Sequence, residues 1–272
     1  MRQRVDTVHF AGDASGPMGR TLAALVALAA AVHSADARAG IRPHIWTWDT
    51  NIVPQGDVEL EQWLWVRGKI PGRGAAYWTW WGPVFGATDH LEVAVPFQTV
   101  GTTSSFFLES FEVDARYRIF SRNDDGKLQP LVRAAFHQAI WSPDKYSRLD
   151  ADAVLSYGLR DELRVTVDLG AKVFLPFLAP PDPPPDPVRV QVTYAAGVSY
   201  PVLEWLRAGV EVFGEIDVAY KPPPPAPQLP HHFVGASLGY QKGKVWITAG
   251  MLVGLTADSP QFMPRLIWAV AL

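Results

Sequence analysis

Residues 162–173 read Glu162-Leu163-Arg164-Val165-Thr166-Val167-Asp168-Leu169-Gly170-Ala171-Lys172-Val173. Successive side chains on a β-strand point to opposite faces. As a strand, this stretch puts Leu163, Val165, Val167, Leu169, Ala171 and Val173 on one side. Glu162, Arg164, Thr166, Asp168 and Lys172 stand on the other. In a soluble sandwich the charged face meets water and the apolar face a shared core. In a membrane barrel the apolar face meets lipid and the charged face lines the interior. Choosing between these two decides the fold and most of the function.

The same alternation recurs along the chain. Turn signals divide it into strands near 55–67, 75–86, 90–100, 105–121, 128–141, 147–158, 162–174, 188–200, 205–220, 231–241, 244–254 and 263–272. Most are long enough to cross hydrocarbon, for which a tilted strand needs about 9–11 residues. The connections sort by parity. Even-numbered links are short, as in Gly86-Ala87-Thr88-Asp89, Gly158-Leu159-Arg160-Asp161 and Gln241-Lys242-Gly243-Lys244, and Asn123-Asp124-Asp125-Gly126 carries an Asp-Gly hairpin signal. The odd-numbered links include two proline-rich runs, in 175–187 and 221–230, too rigid and donor-poor for strands. Tight turns on one rim and long loops on the other is the asymmetry of outer-membrane barrels. A sandwich has no reason to sort its loops this way. Every backbone group must be paired where there is no water, so the sheet has to close. The predicted fold is all-β: a closed antiparallel up-and-down transmembrane barrel of about 12 strands, with both termini periplasmic.

Bulk composition agrees. The 272 residues carry a net charge of −3 and no cysteine, which excludes disulfides and thiolate chemistry. No clustered basic surface points to nucleic acid. Eleven Trp, eight Tyr and thirteen Phe supply aromatics for membrane interfaces or a binding surface. Near the N-terminus, Arg20 precedes the apolar run 21–32, and Ala37-Arg38-Ala39 offers small residues to a signal peptidase. The run is too short to span a bilayer as a helix. Residues 1–39 are therefore expected to be a secretory signal, with Met18 an alternative start, residues 40–54 an N-terminal periplasmic segment, and 55–272 the barrel.

Strand parity nominates the residues that line the lumen: Glu59, Glu61, Glu92, Glu112, Asp114, Arg116, Arg118, Arg133, His137, Asp150, Asp152, Arg164, Asp168, Lys172, Arg189, Arg207, Glu211, Glu215 and Asp217. In a water-filled lumen they would tune which solutes pass. In a narrow one they pair with each other and stiffen the wall, which is the role expected of most. Trp63 and Trp65 share parity with Glu59 and Glu61 and are candidates for an aromatic constriction. Trp81, Trp141 and Trp205, near strand ends, suit interfacial girdles. Whether a loop or segment 40–54 plugs the lumen is left open.

Segment Asn51-Ile52-Val53-Pro54-Gln55-Gly56-Asp57-Val58-Glu59-Leu60-Glu61 resembles the opening of outer-membrane barrels grouped with the phenol-degradation MetA-pathway family. Gly86-Ala87-Thr88-Asp89-His90-Leu91-Glu92-Val93 and Phe111-Glu112-Val113-Asp114-Ala115-Arg116-Tyr117-Arg118 are similar to its following turn and strands. The resemblance covers roughly residues 50–120. It implies a channel or transporter for small, often hydrophobic molecules.

The expected function is an outer-membrane channel passing small solutes, hydrophobic or aromatic ones included, through a narrow charge-lined lumen. Twelve strands give a bore between packed eight-stranded barrels and open sixteen-stranded porins. The alternatives are a sealed structural or adhesive barrel and a lipid-modifying enzyme. For the enzyme, the candidates are His137 with Ser142 and Asp144, or His231 and His232 with Ser237. His137 faces inward, away from lipid, and adjacent His231 and His232 point to opposite faces. No Gly-x-Ser-x-Gly, His-Glu-x-x-His or phosphate-cradling loop occurs. No catalytic residue, metal or cofactor is expected. Expected partners are outer-membrane lipid, a small-molecule solute and the barrel-assembly machinery, with the bacterial outer membrane as location.

Overall fold

A computed structural model describes residues 41–70, 74–101, 105–120, 128–140, 147–158, 163–175, 189–220 and 230–272. The expected signal peptide, the 123–126 hairpin, most of the proline runs, Trp141, Ser142 and Asp144 lie outside the described residues. Thirteen strands follow in chain order: β1 (Val58–Ile70), β2 (Gly74–Gly86), β3 (Leu91–Ala94), β4 (Phe97–Gly101), β5 (Phe106–Arg118), β6 (Leu128–Ala139) and β7 (Ser147–Gly158). Then come β8 (Arg164–Leu175), β9 (Arg189–Leu203), β10 (Leu206–Tyr220), β11 (His231–Lys242), β12 (Val245–Gly254) and β13 (Phe262–Ala271).

Strands pair antiparallel with their neighbours in sequence, except that β3 and β4 do not pair with each other but each lie between β2 and β5, and β1 pairs with both β2 and β13. The sheet closes on itself as a 12-strand transmembrane barrel, because β3 and β4 together form one strand of the wall. Proline explains the interruption. Pro96 lacks an N–H, so the ladder skips it, yet Val84↔Ala94 and Trp81↔Phe97 keep one register across the gap. Val95 N donates to Pro83 O at 3.1 Å and Glu112 N to Pro96 O at 2.9 Å, which holds the wall together there. Gly82 sits against Pro96, where a Cβ would strike its backbone.

The two rims differ. Connections 204–205 and 243–244 are two-residue turns, and Gly243 takes a φ of 58°, a left-handed conformation that favours glycine. Both ends of the barrel-forming chain, Val58 and Leu272, meet on this turn rim, where Leu272 N donates to Val58 O.

The outer face is apolar. Leu169 and Val210 are each 59% exposed, and Val218, Leu238 and Met251 project beside them. Those exposures match a lipid-facing band. Near the turn rim stand Tyr117, Tyr200 and Trp205, the last edge-on to Tyr240, and Trp81 also faces outward. Amphipathic rings suit the headgroup level.

The sequence leads one to expect residues 40–54 as an N-terminal periplasmic segment, with inward folding left open; in the structure segment 41–57 lies against the inner wall. It enters the barrel from the turn rim, turns back near Trp48, and returns to β1. The reason is local composition. Ile45, Ile52 and Val53 are buried in the lumen, each within a separate apolar cluster against the inner wall: Ile45 with Phe213, Phe233, Leu252 and Met263; Ile52 with Leu131 and Val154; Val53 with Trp63, Trp80 and Trp246. Burying three such side chains stabilises the inserted state by roughly 5–9 kcal/mol. At its exit Gly56 has a φ of 83°, and Gly86 has no room for a side chain because Pro54 O lies where its Cβ would be.

Candidate transport site in the lumen

All nineteen charged or His residues nominated by parity lie on the inner face, and the structure divides them into three groups.

One group holds the inserted segment. Glu211 accepts from Ile45 N at 2.8 Å and from Trp46 N and Thr47 N at 2.9 Å, with the Thr47 hydroxyl at 3.1 Å. Three successive amides on one carboxylate make a miniature anion nest. Glu92 accepts from Val53 N at 2.7 Å and pairs with Arg116 and Arg42. Glu61 accepts from Arg42 and from the Trp63 indole. Arg164 clamps Asp49 at 2.9 Å and donates to Thr50 and Asn51. Asp168 accepts from Trp48 N at 3.4 Å. Arg116 also reaches Asn51 O.

A second group braces the wall. Arg133 donates to Asp114 at 2.8 Å, Asp152 at 2.6 Å and Glu112 at 3.2 Å, and its guanidinium lies 4.1 Å from the Trp48 ring. His137 bonds Asp150, which also receives Arg148. Glu59 accepts from Trp246, and Glu112 from Trp80, each at 2.9 Å. Glu215 receives Arg67 and His231. Asp217 receives Arg189. Arg118 donates to Phe120 O and Arg207 to Ser199. A buried pair of this kind is costly to break by removing one partner, so most of these charges lock the wall's shape.

The third group is a single residue. Lys172 faces the cavity and makes no hydrogen bond or ion pair among the described residues.

Above the inserted segment, toward the rim of long connections, the lumen holds a cavity of about 320 Å³. Trp46, Thr47 and Trp48 form its floor. Arg67, Phe174, Arg189 and His231, near the outer ends of their strands, stand round its upper part. Its volume is at the lower end of small-molecule sites. One wall is aromatic: Trp65 and Trp78 stack at 6.0 Å with planes 8° apart, and Trp63 packs on Trp48 and Trp80 at 5.1 and 5.0 Å. Trp63 and Trp65, nominated as a constriction, both line the cavity, together with indoles the sequence did not single out for it, Trp46 and Trp48.

Parity could also have found Arg67, Arg148 and Arg265, which share the inward phase of Trp65, Asp150 and Ile267. Nothing in the alternation could have found Arg42, Trp46 or Trp48, because segment 41–57 has no strand period. The histidines nominated for catalysis are accounted for by contacts: His231 faces the lumen and Glu215, while His232 bonds the Tyr194 hydroxyl on the other face. Among the described residues no group of three or more His, Cys, Asp or Glu could hold a metal ion.

A closed twelve-strand wall, an apolar outer band and a polar lumen with a cavity define a transmembrane β-barrel fold. Solved structures share this fold. The chain superposes on an outer membrane channel from Pseudomonas putida F1 with a TM-score of 0.62 at 9% identity, covering 84% of this chain and all of that one. It matches the NanC porin at a TM-score of 0.55 and 12% identity, over 79% of this chain and all of the porin. For the KdgM porin the score is 0.51 at 11% identity, over 79% of this chain and 99% of the porin. At these identities the likeness is one of fold. No protein-family model matches the chain, and no curated protein sequence does.

Proposed function

We propose that this protein is a narrow outer-membrane channel for small solutes, its passage set by the inserted segment 41–57 and by the cavity above it. The carrying observation is the cavity itself: a polar and aromatic chamber inside a closed lipid-facing wall, floored by a segment that is not part of the wall. A barrel that served only as a scaffold would gain nothing from such a chamber. The fold shared with outer-membrane channels supports the same reading and the outer-membrane location, with the turn rim periplasmic. The resemblance to the phenol-degradation MetA-pathway family favours hydrophobic or aromatic solutes.

The inward charges have two roles in this reading. The paired ones keep the wall rigid, and those facing the cavity, Lys172 foremost, bias which solutes enter. The density of bonds between segment 41–57 and the wall favours one competing reading, a permanently sealed structural barrel. Planar-bilayer recording and liposome swelling with the full-length protein separate them. Discrete current steps and entry of small sugars or amino acids are expected. Silent bilayers and no swelling, from protein shown to be folded by heat-modifiable migration, would establish the sealed barrel instead.

A further inference from the structure

Arg265, on β13, is the most unusual cation of the lumen. It is only 9% exposed, and it forms no ion pair among the described residues. Its guanidinium lies 4.3 Å from the ring centroids of both Trp46 and Trp63 and 5.3 Å from Trp65. A cation against indole faces is attracted by the ring quadrupoles, and that holds the group in place without neutralising it. One nitrogen donates to Ile45 O at 2.6 Å. Its Nε is buried with no acceptor, and so is the indole Nε1 of neighbouring Trp46. The acid that acts on it most strongly, Glu211, already serves the amides of residues 45–47.

Two buried donors without acceptors, on adjacent groups, belong to residues that line one cavity. Orphaned buried donors are rare, since each costs roughly 1–3 kcal/mol when nothing accepts from it. Here the missing partner is an acceptor, and an anionic one suits an unpaired guanidinium best. Just above, Trp65 and Trp78 stack almost parallel, and Arg67 lies 5.8 Å over the Trp78 ring. A stacked pair of indoles, Trp78 and Trp65, thus lies between two cations on one wall, Arg67 and Arg265. Lys172 lines the same chamber and makes no hydrogen bond or ion pair among the described residues.

We propose that the chamber binds small aromatic carboxylates, the carboxylate on Arg265 and Trp46 and the ring against the Trp65–Trp78 wall. This rests on the channel reading and narrows it to a solute class.

The test is titration of the full-length protein in detergent with benzoate, benzamide and acetate, read by tryptophan fluorescence. Benzoate should quench saturably. Benzamide, the neutral isostere, and acetate, which lacks the ring, should each bind at least about tenfold more weakly, the size of one charge-assisted hydrogen bond. Arg265→Met should lose benzoate binding by a similar factor. Should that variant misfold, Trp78→Leu, at the upper end of the wall, should weaken benzoate binding and leave acetate unchanged. Equal binding of benzoate and benzamide, or none of either, would overturn the proposal. Conductance in potassium chloride is recorded alongside: current steps without benzoate binding leave the channel and remove the site. Selective benzoate binding by a barrel that carries no current keeps the site and removes the channel.

Discussion

Replacing Glu211 by leucine tests whether one wall carboxylate keeps the inserted segment in place. Three amides and one hydroxyl of residues 45–47 depend on it. Leucine fills much of the volume and accepts nothing. A buried donor left unsatisfied costs roughly 1–3 kcal/mol, so three amides sum to roughly 3–9 kcal/mol. Water can reach them once the segment withdraws, so the lower end applies, about 3 kcal/mol. That corresponds to a shift of about 100-fold between inserted and withdrawn states. The apolar contacts of Ile45, Ile52 and Val53 remain, so the segment should loosen without leaving permanently. Hydrogen–deuterium exchange followed by mass spectrometry should show the 41–57 region exchanging about 100-fold faster in Glu211→Leu, with the strands unchanged. Bilayer recordings of the same protein should show a higher open probability. Glu211→Gln, which keeps one acceptor oxygen, should fall between. If exchange in the segment rises by less than a few-fold, the staple assignment is wrong. If exchange rises and conductance does not, segment 41–57 is not the barrier to flow.

Four further outcomes are expected. Leu169→Arg places a charge on the lipid-facing side and should lower stability in vesicles by about 2–4 kcal/mol, measured by urea unfolding, if residue 169 lies near the bilayer midplane; a loss under about 1 kcal/mol would deny that placement. Arg116→Glu sets a carboxylate against Glu92 in a buried pair and should lower the thermal transition by the equivalent of about 3–5 kcal/mol, whereas an unchanged transition would mean that water screens this part of the lumen. His44, on the inserted segment and outside the membrane-spanning strands, is held below the ordinary imidazole value near 6.5, first by burial, against the opposing pull of Glu211 and Asp49. Its neutral form is the one that fits, so the inserted state binds fewer protons than the withdrawn one and weakens as pH falls through 6.5; open probability should rise from about pH 7.5 to 5.5, and His44→Phe should flatten that response. Gly86→Val should displace Pro54 and lower the thermal transition, because the exit of the segment has no space for a side chain there.

Several features are legible in the sequence alone. Alternation in 162–173 predicts a two-faced strand, and β8 occupies Arg164–Leu175 with Leu169 outward and Asp168 inward. Parity alone put Glu59, Asp114, Arg133 and Glu211 on one face, because a period of two leaves a strand no third direction. The count of twelve was legible too, although Pro96 splits one strand in two. The function of the individual charges was not legible. Parity says that Glu211 points inward; it cannot say that the amides of residues 45–47, over 160 positions away in the chain, will come to meet it. Parity would also turn Arg265 inward, but its character could not be read there, since it comes from three indoles delivered by two separate parts of the chain.

The primary structure by itself determined a two-sided sheet with an oily exterior, because strand geometry converts alternation directly into sidedness. Only the tertiary structure decided what fills the interior. Segment 41–57 has no periodic signal, and its place follows from the shape and bonding of a cavity that does not exist until the wall has closed.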